Sequence, residues 1–187
     1  MKIKSLKFKS VNSTNDIALD LIKKNKFKPT LISAEHQIKG RGTMGKKWVS
    51  KKGNLYLTIY FEINQKKINF KHYAVLNAYL LKYIIKKNYS DQVQIKWPND
   101  LLIKKKKICG ILQEVLKMEK KNFLEIGIGI NTNFNPITKQ FNSISLKDIT
   151  KKKINNKKLL ENIKKEYENL LRRLKTYSFK ELKKIYK

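Results

Sequence analysis

The stretch GRGTMGKKW, residues 40–48, combines residue types that bind anions. Gly40, Gly42 and Gly45 permit positive φ angles and close approach of the backbone to a ligand, so successive N–H groups can point at one anion. Arg41 adds a guanidinium that can hold a carboxylate or phosphate in bidentate fashion. The spacing fits neither a P-loop nor the dinucleotide-binding G-x-G-x-x-G pattern. An anion cradle and an ordinary mobile loop therefore remain equal alternatives.

Each of the two tryptophans lies beside residues that restrict or relax the backbone, Trp48 after the glycine loop and Trp97 before Pro98. Trp48 closes the glycine loop and offers a plane on which an aromatic base can stack, although a core tryptophan at the start of the next strand is the alternative. In KWPND, Pro98 fixes its own φ and biases Trp97 to an extended conformation, so Asn99 and Asp100 project at fixed angles. Asp100 could hold a magnesium ion, orient a nucleophilic amine or pair with a lysine.

Two further stretches place small or charged residues on strands. Lys107 begins the apolar stretch KICGILQE and could point inward, because strand residues alternate between faces, while lysines 104–106 form a solvated turn. IGIGIN spaces Gly127 and Gly129 on one strand face, which leaves room for a flat ligand or another backbone, and Asn131 follows as a polar end. Close packing under a helix is the alternative for the glycines.

Other reactive groups are sparse. Cys109 is the single cysteine, and His36 and His72 are the two histidines, so we expect neither an internal disulfide nor a structural zinc site. No Ser/His/Asp or Cys/His set suggests a covalent nucleophile. The sequence has no apolar signal peptide and no membrane-spanning run. We therefore expect a cytoplasmic protein without a membrane segment.

The net charge is +30, from 44 Lys and Arg against 14 Asp and Glu. Such a field attracts nucleic acid, acidic proteins or polyphosphates. However, only three of these cations are arginines, and the planar arginine fork is better suited than lysine to phosphate and guanine. We interpret the lysines as a solvated coat left by an A/T-rich coding bias. A basic nucleic-acid-binding module, whose binding would fall steeply with salt, is the alternative.

Hydrophobic periodicity predicts the elements that position these residues. Alternating patterns predict strands at 3–8, 30–36, 54–63, 93–97 and 123–131, with a hairpin beginning at Asp100. Helical spacing predicts helices at 13–24, 70–87, from about 155 onwards, and 179–186. Ser13 is placed to cap the first helix. The segment 133–149 reads as irregular.

This element order predicts one α+β domain over residues 1–187 with a mixed, mostly antiparallel sheet. We expect helices packed on one face of the sheet, with the other face free to carry a site. The strand at 123–131 could pair edge to edge in a weak homodimer, and a monomer is the alternative.

Taken in order, the motifs resemble the catalytic domain of biotin protein ligases, which has a class II aminoacyl-tRNA synthetase-like fold. The segments that carry the resemblance are STN (13–15), AEHQIKGRGTMGKKWVS (34–50), GNLYLTIYF (53–61), KWPNDLLI (96–103), KICGILQE (107–114) and GIGINTN (127–133). The resemblance implies that biotin and ATP, with Mg²⁺, form biotinyl-5'-adenylate and pyrophosphate, without a tightly bound prosthetic group. A lysine of the biotin carboxyl carrier protein of acetyl-CoA carboxylase then takes the biotinyl group as an amide.

The resemblance also implies roles for single residues. The expected biotin contacts are Ser13, Thr14, Asn15, Gln37, Arg41, Gly42, Thr43 and Lys107. The expected ATP contacts are Gly40, Lys46, Trp48, Asn99, Asp100 and Asn131. Lys107, Arg41 and Asp100 are the expected catalytic residues, with Lys107 on the biotin carboxylate and α-phosphate and Asp100 on Mg²⁺.

Two features depart from the family pattern. The family usually carries an arginine where this chain has Thr43, and losing that cation is expected to speed escape of the adenylate. The family also commonly adds a C-terminal β-barrel, and some members an N-terminal helix-turn-helix that represses transcription. Here we expect neither domain, and no specific DNA binding.

Two other functions remain as alternatives within this fold. A lipoate or octanoyl protein ligase uses the same acyl-to-lysine logic, although GRG, KW and KWPND follow the biotin pattern. A degenerate ligase that binds biotin without completing transfer would be consistent with Thr43 and the shorter chain.

Overall fold

The computed structural model describes residues 1–64, 68–136 and 142–187. The strands are β1 Lys4–Val11, β2 Thr30–Gln37, β3 Leu55–Ile63, β4 Gln94–Lys96, β5 Asp100–Ile103, β6 Lys106–Met118 and β7 Lys121–Ile130. The helices are α1 Thr14–Lys23, α2 Phe70–Asn88, α3 Leu146–Thr150, α4 Asn156–Arg173 and α5 Phe179–Tyr186. Every predicted strand and helix is present within a few residues. The short α3 lies in the segment predicted as irregular, of which residues 137–141 lie outside the described residues.

The seven strands form one sheet in the order β1-β2-β3-β7-β6-β5-β4. Only β1 and β2 pair in parallel, because α1 connects them as a crossover, and the other pairs are antiparallel. The predicted mixed, mostly antiparallel sheet is therefore confirmed. The prediction that residues 123–131 could serve as an edge is wrong, because β7 lies between β3 and β6. The alternation of apolar and polar residues alone does not distinguish a central strand from an edge strand.

The sheet has a different partner on each face. On one face, Leu57, Ile59 and Phe61 of β3 belong to the main core, which α2, α4 and α5 cover. On the opposite face, Tyr60 packs in a smaller apolar cluster with Ala18 of α1. The helices α2, α4 and α5 thus lie on one face as expected, and α1 covers part of the other. The remainder of that second face carries the polar residues described below.

The residues after β7 pack as helices against the main core. Leu159, Ile163 and Tyr167 of α4 are buried, as are Leu182 and Tyr186 of α5. This agrees with the helical periodicity of the sequence. No helix in the described ranges has the length and apolar character needed to cross a membrane.

Candidate functional site

The N-terminus of α1 places three polar side chains against the sheet. Ser13 has extended backbone angles and caps the helix, because its hydroxyl accepts a hydrogen bond from the N–H of Asn15 at 3.2 Å. Ser13, Thr14 and Asn15 are all buried. Asn15 lies directly over Gly127, where a Cβ would overlap its carboxamide. The predicted cap is confirmed, and one glycine of IGIGIN makes room for a side chain of the protein itself.

A row of hydrogen-bonded side chains runs across this face of the sheet. We call it the polar row, and its members are Ser50, Gln37, Thr14, Thr58, Asn15 and Glu125. Gln37 Oε1 accepts from the N–H and the hydroxyl of Thr14, at 2.8 and 3.0 Å, and Gln37 Nε2 donates to Ser50 Oγ at 3.2 Å. The Thr58 hydroxyl lies 2.8 Å from Thr14 Oγ1 and 3.1 Å from Asn15 Oδ1. Asn15 Nδ2 donates to Glu125 Oε1 at 2.6 Å, so the row links β2, α1, β3 and β7.

The sequence analysis missed Thr58 and Glu125. Both lie on strands whose apolar residues dominated the pattern, although a glutamate within FLEIGIGIN was a visible exception. Glu125 is only 3% exposed. The pKa of its carboxyl is raised from 4.5 to about 7, mainly by burial and also by the nearby charge of Glu114, while the hydrogen bond from Asn15 opposes the rise. Glu125 is thus the titratable group nearest to the Asn15 side chain.

The glycine loop folds as a small hairpin over the polar row. The N–H of Trp48 donates to Gly40 O at 2.9 Å, and the N–H of Gly42 donates to Lys46 O at 2.7 Å. Residues Thr43–Gly45 form a 3₁₀ turn at its tip, where Gly45 has a φ of 71°. These two N–H groups therefore bond within the loop and do not point at an anion. The loop acts as a shaped cover, which neither sequence alternative described.

Arg41 ties this cover to the body of the protein. Its guanidinium donates to both oxygens of Glu114 on β6, at 2.7 and 2.8 Å, and to Asp16 on α1 at 3.4 Å. Both contacts with Glu114 come from the same nitrogen, Nη2, and they are charge-assisted. The side chain expected to contact biotin is here bonded to carboxylates of the protein.

Trp48 lies on the sheet and not in the core. Its indole covers Gly110 of β6 and Gly129 of β7, which are directly paired, and a Cβ at either glycine would overlap the ring. Lys107 Nζ lies 5.3 Å from the ring centroid. The buried indole Nε1 has no hydrogen-bond partner among the described residues. The flat group for which the glycines leave room is therefore this indole.

Lys107 points inward and pairs with Asp100. Its Nζ lies 2.6 Å from Asp100 Oδ1, and the two side chains are only 14% and 19% exposed. Lys104 and Lys105 form the preceding turn, with φ of 50° and 61°. Of the three roles considered for Asp100, the structure contains the ion pair with a lysine.

Of the remaining predicted ATP contacts, Asn99 and Asn131 lie close to this pair, whereas Lys46 does not. Asn99 Nδ2 donates to Ile111 O at 3.1 Å and lies 3.5 Å from Thr43 Oγ1, which joins the loop tip to β5. Asn131 is fully buried, donates to Lys107 O at 3.2 Å, and has an Oδ1 without a hydrogen-bond partner among the described residues. Lys46 is exposed on the outer side of the loop.

These side chains enclose a narrow cavity under the loop. The predicted residues that line it are Thr14, Asn15, Gln37, Arg41, Gly42, Thr43, Trp48, Asn99 and Lys107. Its volume is about 40 Å³, whereas ligand pockets typically measure roughly 300–1,000 Å³. A larger groove of about 730 Å³ lies on the outer side of the loop, next to Gly40, Lys46 and Glu114. Ser13, Asp100 and Asn131 line neither space, and they hold residues that do.

Carboxylates near the site do not form a ready-made metal cage. Within residues 1–64, 68–136 and 142–187, no three His, Cys, Asp or Glu side chains are grouped to hold a metal ion. Asp100 alone offers a carboxylate beside Lys107. Magnesium is commonly bound through one or two carboxylates together with substrate phosphates, and this arrangement is compatible with that mode.

Comparison with known proteins gives a consistent result. The family model described as "Biotin/lipoate A/B protein ligase family" matches residues 7–131. The chain is 36% identical over 123 residues to the bifunctional ligase/repressor BirA of Escherichia coli, covering 65% of this chain and 38% of that protein. It is 34% identical over 128 residues to BirA of Bacillus subtilis, covering 67% and 39% respectively. The chain thus spans about two fifths of the length of these relatives.

The structural likeness extends over nearly the whole chain. A structure of biotin protein ligase from Aquifex aeolicus in complex with biotin and ATP superposes with a TM-score of 0.79 and 31% sequence identity. The match covers 95% of this chain and 74% of that one. This likeness confirms the predicted fold class, the α+β fold of biotin ligases and class II aminoacyl-tRNA synthetases.

Proposed function

The chain belongs to the biotin/lipoate A/B protein ligase family, and from this premise we propose that it is an ATP-dependent biotin protein ligase. It converts biotin and ATP into biotinyl-5'-adenylate and pyrophosphate, and it transfers the biotinyl group to a lysine of a biotin carboxyl carrier protein with release of AMP. The observation that carries this proposal is the convergence of Thr14, Asn15, Gln37, Trp48 and Lys107 on one cavity. The complex of the Aquifex aeolicus relative with biotin and ATP supports the choice of substrates.

In the first step, a biotin carboxylate oxygen attacks the α-phosphorus of ATP, a P–O bond forms, and pyrophosphate leaves. Two anions must approach each other, so charge neutralisation and positioning matter more than a protein nucleophile. Lys107 supplies the buried cation, and Asp100 holds its ammonium in place at 2.6 Å. Arg41 supplies a second cation when the ligand's anionic groups replace Glu114. Thr14, Asn15 and Gln37 hold the biotin ring, and Ser13 supports them by capping α1.

In the second step, the amine of the acceptor lysine attacks the acyl carbon, a C–N bond forms, and AMP leaves. The adenylate must be kept from water until the carrier arrives. The loop of residues 40–48 provides this cover, with Trp48 as its inner surface. Asn99 and Asn131 lie near Lys107 and line the nucleotide end in this proposal, and Lys46 reaches the ATP phosphates.

Magnesium and the acceptor complete the proposal. Asp100 would hold Mg²⁺ together with ATP phosphates, and the ion would neutralise charge on the departing pyrophosphate. The acceptor is the carrier protein of a biotin-dependent carboxylase, such as acetyl-CoA carboxylase. We further propose that the 187 residues act as one cytoplasmic catalytic unit, as a monomer or weak homodimer.

The test is biotin-dependent ATP–pyrophosphate exchange, followed by labelling of a carrier domain. We expect Lys107→Ala to reduce exchange by at least about 100-fold, because a buried charge on the reacting groups is lost. Lys106→Ala, which removes the exposed neighbouring lysine, is the matched control and should retain activity. Normal exchange in Lys107→Ala would remove Lys107 from the mechanism.

Pyrophosphate exchange, carrier labelling and a DNA-binding measurement together separate the alternative functions. Exchange with lipoate or octanoate but not biotin would identify a lipoate-type ligase. Good adenylate formation without carrier labelling would identify a degenerate ligase. Salt-sensitive DNA binding without exchange would favour the nucleic-acid-binding module.

A further inference from the structure

We propose that Glu125 is a positioning residue for the biotin pocket, whose carboxylate fixes the orientation of the Asn15 carboxamide and thereby the order of donors and acceptors along the polar row. This inference rests on the proposed function, in which Asn15 contacts biotin. The contact that carries it is the 2.6 Å hydrogen bond from Asn15 Nδ2 to Glu125 Oε1. Glu125 does not line the cavity itself and acts through Asn15.

The hydrogen-bond order follows from which groups can donate. An ionised carboxylate only accepts hydrogen bonds, so Asn15 must turn its NH₂ group towards Glu125 and its Oδ1 towards Thr58. At the other end, the Thr14 hydroxyl donates to Gln37 Oε1, and the Gln37 amide donates to Ser50. The carboxamides of Asn15 and Gln37 therefore have defined orientations. The ureido ring of biotin has two N–H donors and one carbonyl acceptor. It therefore requires a pocket whose donors and acceptors stand in a fixed order.

The surroundings of Glu125 indicate that it does not serve as one half of a structural ion pair. Glu114 lies directly across from it in the β6–β7 register, and Asp16 lies on α1 above it. Arg41, the cation beside it, is already bonded to Glu114 and Asp16. On β3 the paired residue is Tyr60, whose hydroxyl donates to the Lys26 carbonyl at 2.6 Å.

A carboxyl buried in this position destabilises the fold when it is ionised. Desolvation and two neighbouring carboxylates both oppose its charge. An apolar residue at the same place would avoid this penalty. The contact with Asn15 is the feature that such a substitution would remove.

Substitution of Glu125 by glutamine tests whether the carboxylate orients Asn15 or only fills the space at this position. Glutamine can either donate or accept, so both orientations of Asn15 become possible. We expect Glu125→Gln to weaken biotin binding on the order of 10-fold. The kcat of pyrophosphate exchange should stay within about 2-fold, because Glu125 does not touch the reacting groups. The effect should therefore be found in KM and not in kcat.

The pH profile provides a readout that a purely structural residue would not alter. Burial raises the pKa of Glu125 to about 7, so in the wild type biotin affinity should rise between about pH 6 and about pH 8 as the carboxyl ionises. Asp16, Glu114, Arg41 and Tyr60 face this group. The Glu125→Gln protein should show weaker affinity that is flat over the same range.

The experiment is titration calorimetry with biotin on the whole chain across this pH range. Glu62→Gln is the matched control, because Glu62 lies on β3 and pairs with Lys121 at the surface. Thr58→Val removes the neighbouring hydroxyl of the row while keeping its shape. In the double variant with Glu125→Gln, the two losses of affinity should be less than additive.

The outcomes separate this inference from the proposed function. A wild-type chain that does not bind biotin would overturn the proposed function. Biotin binding with equal affinity and equal pH dependence in the wild type and Glu125→Gln would overturn the role of Glu125 alone. If Glu125→Gln does not fold, as judged by circular dichroism, a wild-type biotin affinity that stays flat between about pH 6 and about pH 8 would overturn it.

Discussion

The two cations that line the cavity, Lys107 and Arg41, form ion pairs that differ in their exposure to solvent. Lys107 and Asp100 are mostly buried, so their ion pair is shielded from solvent. Arg41 and Glu114 are 36% and 41% exposed, and exposed pairs contribute little free energy. Lys107 is therefore a fixed part of the site, whereas Arg41 can exchange its carboxylate partners for those of a ligand.

Thr43 is the residue at which retention of the intermediate can be tested. Its hydroxyl lies 3.5 Å from Asn99 Nδ2, at the loop tip over the cavity. A charged hydrogen bond contributes roughly 1.5–3 kcal/mol, so Thr43→Arg should slow adenylate release on the order of 10- to 100-fold. Release can be followed by trapping free biotinyl-adenylate from preloaded protein.

Met44→Arg is the matched control for this substitution. Met44 is adjacent to Thr43 in the loop and is 93% exposed. An arginine at position 44 therefore adds the same charge without facing the cavity. An equal slowing by both variants would attribute the effect to net charge. An unchanged rate in Thr43→Arg would contradict the idea that this position limits retention.

At the level of elements, the sequence predicted locations better than contacts. Ser13 was predicted as a cap from cap chemistry, and strand alternation made an inward-facing Lys107 one of the possible arrangements. Thr58 and Glu125 were missed, because their role depends on which strands become neighbours. The central position of β7 was missed for the same reason. Pairing between distant strands is not encoded in the period of either strand.

The packing of the glycine loop on the sheet gives a prediction at this scale. Gly129→Ala adds a Cβ that overlaps the Trp48 indole and should displace it from the sheet. We expect kcat/KM for ATP in pyrophosphate exchange to fall on the order of 10-fold, because the loop can no longer close. Tryptophan emission, measured in a Trp97→Phe background, should shift towards that of an exposed indole.

Ile126→Val is the control for general destabilisation of β7. Ile126 lies on the same strand but belongs to the main core on the opposite face. It should lower the free energy of unfolding by about 1 kcal/mol and leave the emission of Trp48 unchanged. If Gly129→Ala leaves emission and exchange unchanged, the indole does not depend on this glycine.

At the scale of the whole molecule, the distribution of acidic residues is informative. The chain has only 14 Asp and Glu against 44 Lys and Arg. Four of these acids, Asp16, Asp100, Glu114 and Glu125, surround Arg41 and Lys107. The lysine coat is therefore compatible with compositional bias, whereas the acids at the site have specific partners.

Glu125 should make the stability of the molecule depend on pH. Its pKa is raised from 4.5 to about 7 in the folded state, so between these values the native chain binds more protons than the unfolded chain. The free energy of unfolding should therefore fall as pH rises through this window, by at most roughly 3 kcal/mol. Glu125→Gln should lack this decrease, so the variant gains relative stability above about pH 7.

Denaturant unfolding at about pH 5, near the lower end of this window, and at about pH 8, above its upper end, measures this difference between the two proteins. Glu62→Gln serves as the control, since the Glu62 side chain is about half exposed beside Lys121. If the free energy of unfolding depends on pH equally in the wild type and in Glu125→Gln, the pKa of Glu125 does not differ between the folded and unfolded states.

The closed loop has a consequence for how tightly the chain can hold its substrates. A cavity of about 40 Å³ admits no ligand of biotin's size, so capture requires the population in which the loop is open. The measured affinity then equals the affinity of the open form multiplied by its population. Weakening the Arg41–Glu114 pair would enlarge that population and improve capture, but it would also release the intermediate sooner. The Arg41–Glu114 pair thus contributes, together with the packing of Trp48 on the sheet, to the balance between fast uptake and long residence.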